Sequence, residues 1–86
     1  MTRQEIQEIN QAISERGLKK KLKKFLKIHR PTISDDTIGR AWKVEVFDEA
    51  PETLQLVLRI AKEVKQRDDE RVRLQVEQLE AEEAHT

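Results

Sequence analysis

Lysine dominates the segment from residue 19 to residue 27, whose sequence is KKKLKKFLK. Six of its nine residues are lysines, and no acidic residue lies among them. An ammonium group donates hydrogen bonds and accepts none, so lysines at this density attract anions. Exposed lysines often form only a solvated helix face, but this cluster favours a binding role towards nucleic acid, a membrane surface or an acidic protein.

Catalytic chemistry has few candidate residues in this chain. His29 and His85 have no nucleophile or metal-ligand partner at a recognisable spacing. The absence of cysteine excludes a disulfide scaffold, a thiolate metal site and cysteine catalysis. We expect two aspartate pairs to be solvent-facing charges on helices: Asp35 with Asp36, and Asp68 with Asp69. The sequence therefore predicts a protein that is not an enzyme and implies no cofactor, no metal and no small-molecule substrate.

Positive and negative charge are separated along the chain, although the formal net charge is zero. Residues 16–43 contain ten Lys and Arg against two Asp, a net charge of +8. Residues 44–86 contain six basic and twelve acidic residues, a net charge of −6, and residues 1–15 carry −2. One third of the chain is therefore suited to meeting an anion.

The chain is long enough for one small domain with a modest core. Its 86 residues are 36% hydrophobic and 40% charged, so we expect a long solvated element or a second subunit. No apolar run approaches the roughly 20 residues of a membrane span, and no signal-peptide hydrophobic region follows the polar start. These features predict a cytoplasmic protein without a membrane partner.

The first 39 residues predict three helices. In the first, Thr2 and Glu5 have the spacing of a capping box, isoleucines recur at helical intervals, and Gly17 ends the run. The second contains the lysines, with an apolar stripe at Leu18, Leu22, Phe25 and Leu26. The third is predicted from about residue 30 to residue 38, with Pro31 in its first turn and Gly39 after its end.

The remainder predicts a connector and one long helix. Residues 42–47, WKVEVF, alternate apolar and charged, which fits a short strand paired with another copy or an extended connector. Asp48 and Pro51 suit the start of a helix that continues almost to an acidic tail, EAEEAHT, which we expect to fray. Apolar residues follow heptad spacing to Val64, are interrupted at Asp68 and Arg71, and resume out of phase at Val72, Val76 and Leu79.

The segment LKKFLKIHRPTIS, residues 22–34, has apolar residues suited to two short helices joined by a tight turn. It resembles the helix-turn-helix of lambda-repressor-like bacterial and phage regulators, whose familiar form is leucine-alanine-x-x-leucine-glycine-valine-serine-x-x-threonine-isoleucine-serine. Residues 30–34 are similar to the start of a recognition helix in that family. Lys23 and Lys27 stand where the family has a small residue and a glycine.

The resemblance implies a sequence-specific transcriptional regulator that places a recognition helix, about residues 30–38, in the major groove of double-stranded DNA. It implies base contacts from His29, Arg30, Thr32, Ser34 and Asp35. It implies phosphate contacts, which position the protein without specifying sequence, from Lys19, Lys20, Lys23, Lys24, Lys27, Arg40 and Lys43.

The expected fold class is all-α: a small helix-turn-helix domain of three to four helices, residues 1–47, followed by a long C-terminal helix, residues 48–86. We expect this helix to form a homodimer that matches a palindromic operator. The predicted dimer interface comprises Trp42, Leu54, Val57, Leu58, Ala61 and Val64.

Several other kinds of partner are alternatives to DNA. A protein-interaction module without specific DNA binding is the main alternative, with the long helix engaging a partner. RNA phosphates also suit a lysine-rich face, although no aromatic residues are interleaved for base stacking. A membrane-surface helix needs a broader apolar face, and an import signal or a calmodulin target needs a segment free of core residues. The acidic tail folding back on the lysines is a further hypothesis.

Overall fold

The protein is all-α and is described by a computed structural model over residues 1–84. It has four α-helices, α1 (Arg3–Glu15), α2 (Lys19–His29), α3 (Asp35–Ala41) and α4 (Glu52–Ala84), with a short 3-10 helix at Phe47–Glu49. The predicted fold class, with its long C-terminal helix, is confirmed. No strand occurs within residues 1–84, so the strand alternative for residues 42–47 is wrong. Trp42 and Val44 instead pack against the core from a connector.

Helix α1 begins and ends as its sequence indicates. The Thr2 hydroxyl accepts a hydrogen bond from the backbone N–H of Glu5 at 3.1 Å. At the other end, Gly17 adopts a left-handed backbone with φ of 66°. The backbone N–H of Leu18 then donates to the carbonyl of Ile13 at 3.0 Å, which is the Schellman arrangement. This turn directs the chain into α2 and buries Leu18 in the core.

The first half of α4 is the central element of the core. It packs against α1, α2 and α3, so the core is shared across the boundary predicted at residue 47. The side chains of Val57, Leu58, Ala61 and Val64 are buried within a single chain. They therefore cannot form a dimer interface, and their assignment to one is wrong. Trp42 and Leu54, also assigned to that interface, are half-buried against the same core.

Helix α3 begins later than predicted. Its N-cap is Ser34, whose hydroxyl accepts a hydrogen bond from the backbone N–H of Thr37 at 3.2 Å. The residues from Pro31 to Ile33 lie in the loop after α2, and the helix continues through Gly39 to Ala41. The predicted range of 30–38 therefore starts five residues too early and ends three residues too early. Two aspartates in the first turn favour the observed start, because carboxylates stabilise the positive end of a helix.

The bounds of α4 also differ from the prediction. A 3-10 turn precedes it, and the side-chain amide of Gln55 donates to the carbonyls of Phe47 and Ala50 at 3.0 and 3.1 Å, which holds this turn in place. At its other end, α4 is continuous to Ala84, so the expected fraying of residues 80–84 is not observed. His85 and Thr86 lie outside the described residues. An unbroken helix carries the acidic end away from α2, contrary to the fold-back hypothesis.

An ion-pair network joins the end of α1 to the middle of α4. Asp68 is buried, with 5% of its surface exposed. It accepts hydrogen bonds from Arg16 at 3.2 Å and from Arg71 at 3.0 Å. Asp69 accepts from Arg16 and, at 3.0 Å, from Lys65. The prediction of a solvent-facing Asp68 is wrong, because its partner Arg16 comes from a distant part of the chain and compensates its burial.

These contacts change the protonation equilibria of both carboxyl groups. Burial by itself raises the pKa of Asp68, but the hydrogen bonds from Arg71 and Arg16 together hold that pKa below its ordinary value. Hydrogen bonds from Arg16 and Lys65 lower the pKa of Asp69. The hydrogen bond to Asp69 is the main cause of a raised pKa for Arg16. Arg16, Asp68 and Asp69 are therefore charged at neutral pH.

Candidate nucleic-acid interface

Helix α2 has opposite apolar and basic faces. Leu22 and Leu26 are buried against the core. Lys20, Lys24 and Lys27 are exposed, and their spacing of four and three residues places them on the side away from these leucines. We call these three residues the α2 lysine face. Because the apolar side is fixed in the core, the lysine face is held outward on a rigid element.

The lysine face is bordered by a groove between α2 and α3. Lys19 and Lys23 line it from α2, and Asp35 and Gly39 line it from α3. The Lys23 ammonium lies 3.2 Å from a carboxylate oxygen of Asp35, an ion pair that links the two helices. Trp42 contributes part of the groove wall. Lys23 thus bridges two helices where the resembled family has a small residue.

Lys27 lies in the last turn of α2, not at a turn that requires a left-handed backbone. Within residues 1–84, no residue other than glycine has a positive φ. Lys27, at the position where the resembled family has glycine, therefore causes no backbone strain.

Most cations of the basic segment have no anionic partner in the described part of the chain. Of the ten basic residues in this segment, eight take part in no ion pair within residues 1–84. These eight are Lys19, Lys20, Lys21, Lys24, Lys27, Arg30, Arg40 and Lys43. Because the segment holds only two carboxylates, Asp35 and Asp36, against ten cations, these eight residues keep a positive potential for a ligand.

The cations of α4 behave differently. Lys62 pairs with Glu5 at 2.8 Å, and Arg67 pairs with Glu63 at 2.8 Å. Lys65 pairs with Asp69, and Arg71 pairs with Asp68. Arg73 pairs with glutamates of its own helix. Arg59 instead stacks on the ring of Phe47 at 5.6 Å. Five of the six cations of α4 thus pair with carboxylates, whereas on α2 only Lys23 among the six lysines does.

The residues predicted to contact bases lie mainly outside α3. His29 ends α2, Arg30 is its C-cap, Thr32 lies in the loop and Ser34 is the N-cap of α3. All are exposed, as is Asp35, which alone of the five lies on α3. Arg30, Thr32 and Ser34 were predicted to lie on the recognition helix, and that placement is wrong. The five residues instead follow one another from the end of α2, through the loop, to the first residue of α3, at one end of the lysine face.

The residues that α3 does expose are Asp36, Gly39 and Arg40, besides Asp35. Arg40 was predicted to follow the recognition helix, but it lies within α3. Asp35 and Asp36 are exposed on a helix, as predicted, whereas Gly39 was predicted to follow the helix and lies within it. The sequence contained a signal for this later register, because serine followed by two aspartates is a typical helix start.

Phe25, the aromatic residue inside the lysine-rich segment, faces α4. It is half-buried, and the Arg67 guanidinium lies 5.5 Å from its ring centre. A ring covered in this way is not available for base stacking. The lysine face therefore has phosphate-binding chemistry without an adjacent stacking platform.

No family model, curated protein or solved structure matches this chain. Function must therefore be inferred from the surface itself. In the part of the chain that the structure describes, no helix is long and apolar enough to cross a membrane. Among the same residues, no three histidine, aspartate or glutamate side chains are grouped to hold a metal ion.

Proposed function

We propose that the protein is a transcriptional regulator that binds double-stranded DNA through α2, the loop of residues 30–34 and α3. The observation that carries the proposal is the α2 lysine face, whose ammonium groups have no ion-pair partner in residues 1–84, while five of the six cations of α4 do. Unpaired lysines on a rigid helix repel one another in the free protein. A polyanion removes that repulsion, and binding releases the counterions of its phosphates.

The observed start of α3 supports a helix-turn-helix interpretation in a corrected register. The family order serine-x-x-threonine-isoleucine recurs at Ser34, Thr37 and Ile38. Ser34 caps the helix and Ile38 is buried, which suits a recognition helix that is anchored on one side and open on the other. The connection from His29 to Ser34 is longer than the tight turn of the resembled motif.

In this register α3 enters the major groove with its N-terminal turn first. Arg40 becomes the residue that contacts guanine through two hydrogen bonds, since it extends from the exposed side of α3. Asp36 repels phosphates and accepts from a cytosine amino group, so it contributes to sequence preference. The loop residues Arg30 and Thr32 lie beside the sugar-phosphate backbone.

The lysine face positions the protein without choosing a sequence. Lys20, Lys24 and Lys27 lie on the side of α2 that crosses the backbone, and Lys43 follows α3 on the other flank. Phosphate contacts of this kind fix orientation, whereas base contacts give specificity. A regulator of this type acts in the cytoplasm of a bacterial cell.

Anisotropy titration of a labelled random-sequence DNA duplex at low salt tests the proposal. Replacing Lys20, Lys24 and Lys27 together by Gln removes three charges and should weaken binding at least 10-fold, on the order of 0.5 kcal/mol or more for each phosphate that is no longer neutralised. The matched control replaces Arg3, Arg59 and Lys62 by Gln, which removes the same charge from other surfaces and should leave affinity within about twofold.

Equal losses of affinity in the two triple variants would show that only net charge matters, and would contradict an assigned face. A labelled RNA duplex and a single-stranded RNA of the same sequence serve as competitors. If either displaces the DNA more strongly than unlabelled DNA does, the DNA assignment is wrong.

A further inference from the structure

The last turns of α4 extend beyond the rest of the molecule. Every residue from 70 to 84 is exposed, whereas the same helix is largely buried between Val57 and Val64. We call residues 70–84 the α4 extension. A helical segment gains most of its stability from packing one face against a neighbour, which the extension lacks within its own chain.

The extension nevertheless carries an apolar stripe. Val72, Val76 and Leu79 are spaced four and three residues apart, as in the core of a coiled coil. They are 42%, 46% and 59% exposed. Leu74 is similarly exposed at 53%, but its position places it on the opposite side of the helix. The stripe is therefore a distinct face suited to a second helix.

Charge on the extension indicates which helix would cover this face. Its beginning, with Glu70, Arg71 and Arg73, has a net charge of +1, and its end, with Glu77, Glu80, Glu82 and Glu83, has a net charge of −4. A partner whose charges run in the opposite order would be complementary. A second copy of the same segment, aligned antiparallel, has that order.

An antiparallel pair centred near Val76 satisfies both patterns. Val72 of one copy faces Leu79 of the other, and Arg73 of each copy lies beside Glu80 of the other. The two helix dipoles also point in opposite directions. A parallel pair would bring the two acidic ends together. It would also place the two bodies side by side, where a body is the part of each copy in which α1, α2 and α3 pack around α4.

We propose that two copies of the protein pair through their α4 extensions as a short antiparallel coiled coil centred near Val76. The two bodies lie at opposite ends of this pair. The contact does not involve α2 or α3, so the proposal stands independently of the DNA-binding function. Because the stripe spans only about two helical turns, we expect a weak, reversible dimer.

Sedimentation equilibrium of the full chain from about 5 to 500 μM tests the pairing. Wild-type protein should shift from monomer to dimer across this range. Val76→Glu should remain monomeric, because it places two carboxylates at the centre of the seam. Leu74→Glu is the matched control and should dimerise like the wild type, since it adds the same charge on the opposite face. Circular dichroism checks that both variants retain the helical fold.

Pulsed electron resonance between spin labels tests the orientation. The protein has no cysteine, so a label at Gln66→Cys is unique. An antiparallel pair centred at Val76 separates the two labelled backbones by about 30 Å along the helix axis, ten residues on each side. A parallel pair separates them by about 10 Å. A short distance, a monomer at all concentrations, or equal loss of dimer in the Val76 and Leu74 variants would overturn the proposal.

Discussion

The two glycines of this protein have opposite conformational roles. Gly17 has a φ of 66°, in a region that other residues enter only at a cost, while Gly39 lies inside α3. An added Cβ would meet no atom within 4 Å at either position, so backbone conformation alone decides the effect. Gly17→Ala should therefore destabilise the fold by about 1 kcal/mol, whereas Gly39→Ala should stabilise it by about 0.5–1 kcal/mol.

Urea unfolding of the two glycine variants beside the wild type measures both changes. Since the substitutions are chemically identical, each serves as the control for the other. A loss of stability at both positions would contradict the helical assignment of Gly39.

Asp68 gives the protein a predictable response to acid. The pKa values of Asp68 and Asp69 are lower in the folded protein than their ordinary value of 3.8. The folded state therefore binds fewer protons, and the stabilisation is complete above about pH 5 and lost as pH falls through the folded-state pKa values. The urea midpoint should be flat from pH 7 to about pH 5 and decline below about pH 4.

Asp68→Asn provides the control for this pH dependence. It should lower the free energy of unfolding at pH 7 by about 1.5 kcal/mol, because the charged hydrogen bonds to Arg16 and Arg71 become weaker. The loss is no larger because both guanidinium groups are partly exposed. Its midpoint should also decline less steeply in acid. A decline as steep as that of the wild type would show that other carboxyl groups control the acid response.

At the scale of the helices, local sequence patterns predicted a helix correctly where the pattern allowed a single interpretation. The cap at Thr2, the turn at Gly17 and the apolar stripe of α2 correctly predicted the first two helices. The start of α3 was misplaced because Pro31 also suits a first turn, and sequence order alone does not decide between it and Ser34. The capping hydrogen bond to Thr37 decides for Ser34.

This cap has a measurable consequence. Ser34→Ala should destabilise the protein by about 1 kcal/mol, whereas Ser34→Asp keeps a side-chain acceptor at the N-cap and should lie within about 0.5 kcal/mol of the wild type. Thermal or urea unfolding of the pair provides the comparison. If Ser34→Ala unfolds like the wild type, α3 does not depend on this cap.

Contacts between distant residues could not be predicted from the sequence. The heptad spacing from Leu54 to Val64 is real, but an apolar stripe does not show whether it is covered by its own chain or by a second one. The structure shows α1, α2 and α3 covering it. Similarly, Asp68 appeared to interrupt that stripe, and the contact with distant Arg16, together with that of Arg71 on the same helix, explains why a carboxylate is buried there.

At the scale of the whole molecule, charge and apolar surface are assigned to different regions. The unpaired cations lie on α2, in the loop after it, and on or just after α3, whereas the α4 extension carries four of the six exposed large hydrophobic side chains of residues 1–84 and five glutamates. The zero net charge of the chain conceals this separation. DNA binding at one region and pairing at the other are therefore physically compatible, and two lysine faces in one dimer would bind a long duplex more tightly than one.

The salt dependence of duplex binding tests the central claim most directly. For wild-type protein, the logarithm of the binding constant should fall linearly with the logarithm of salt concentration, with a slope of about −3 or steeper, because each neutralised phosphate contributes about 0.9. Replacing Lys20, Lys24 and Lys27 by Gln should make that slope shallower by about 2–3, while the triple variant of Arg3, Arg59 and Lys62 should keep the wild-type slope. Absence of duplex binding at low salt, or an unchanged slope without the lysine face, would contradict the account.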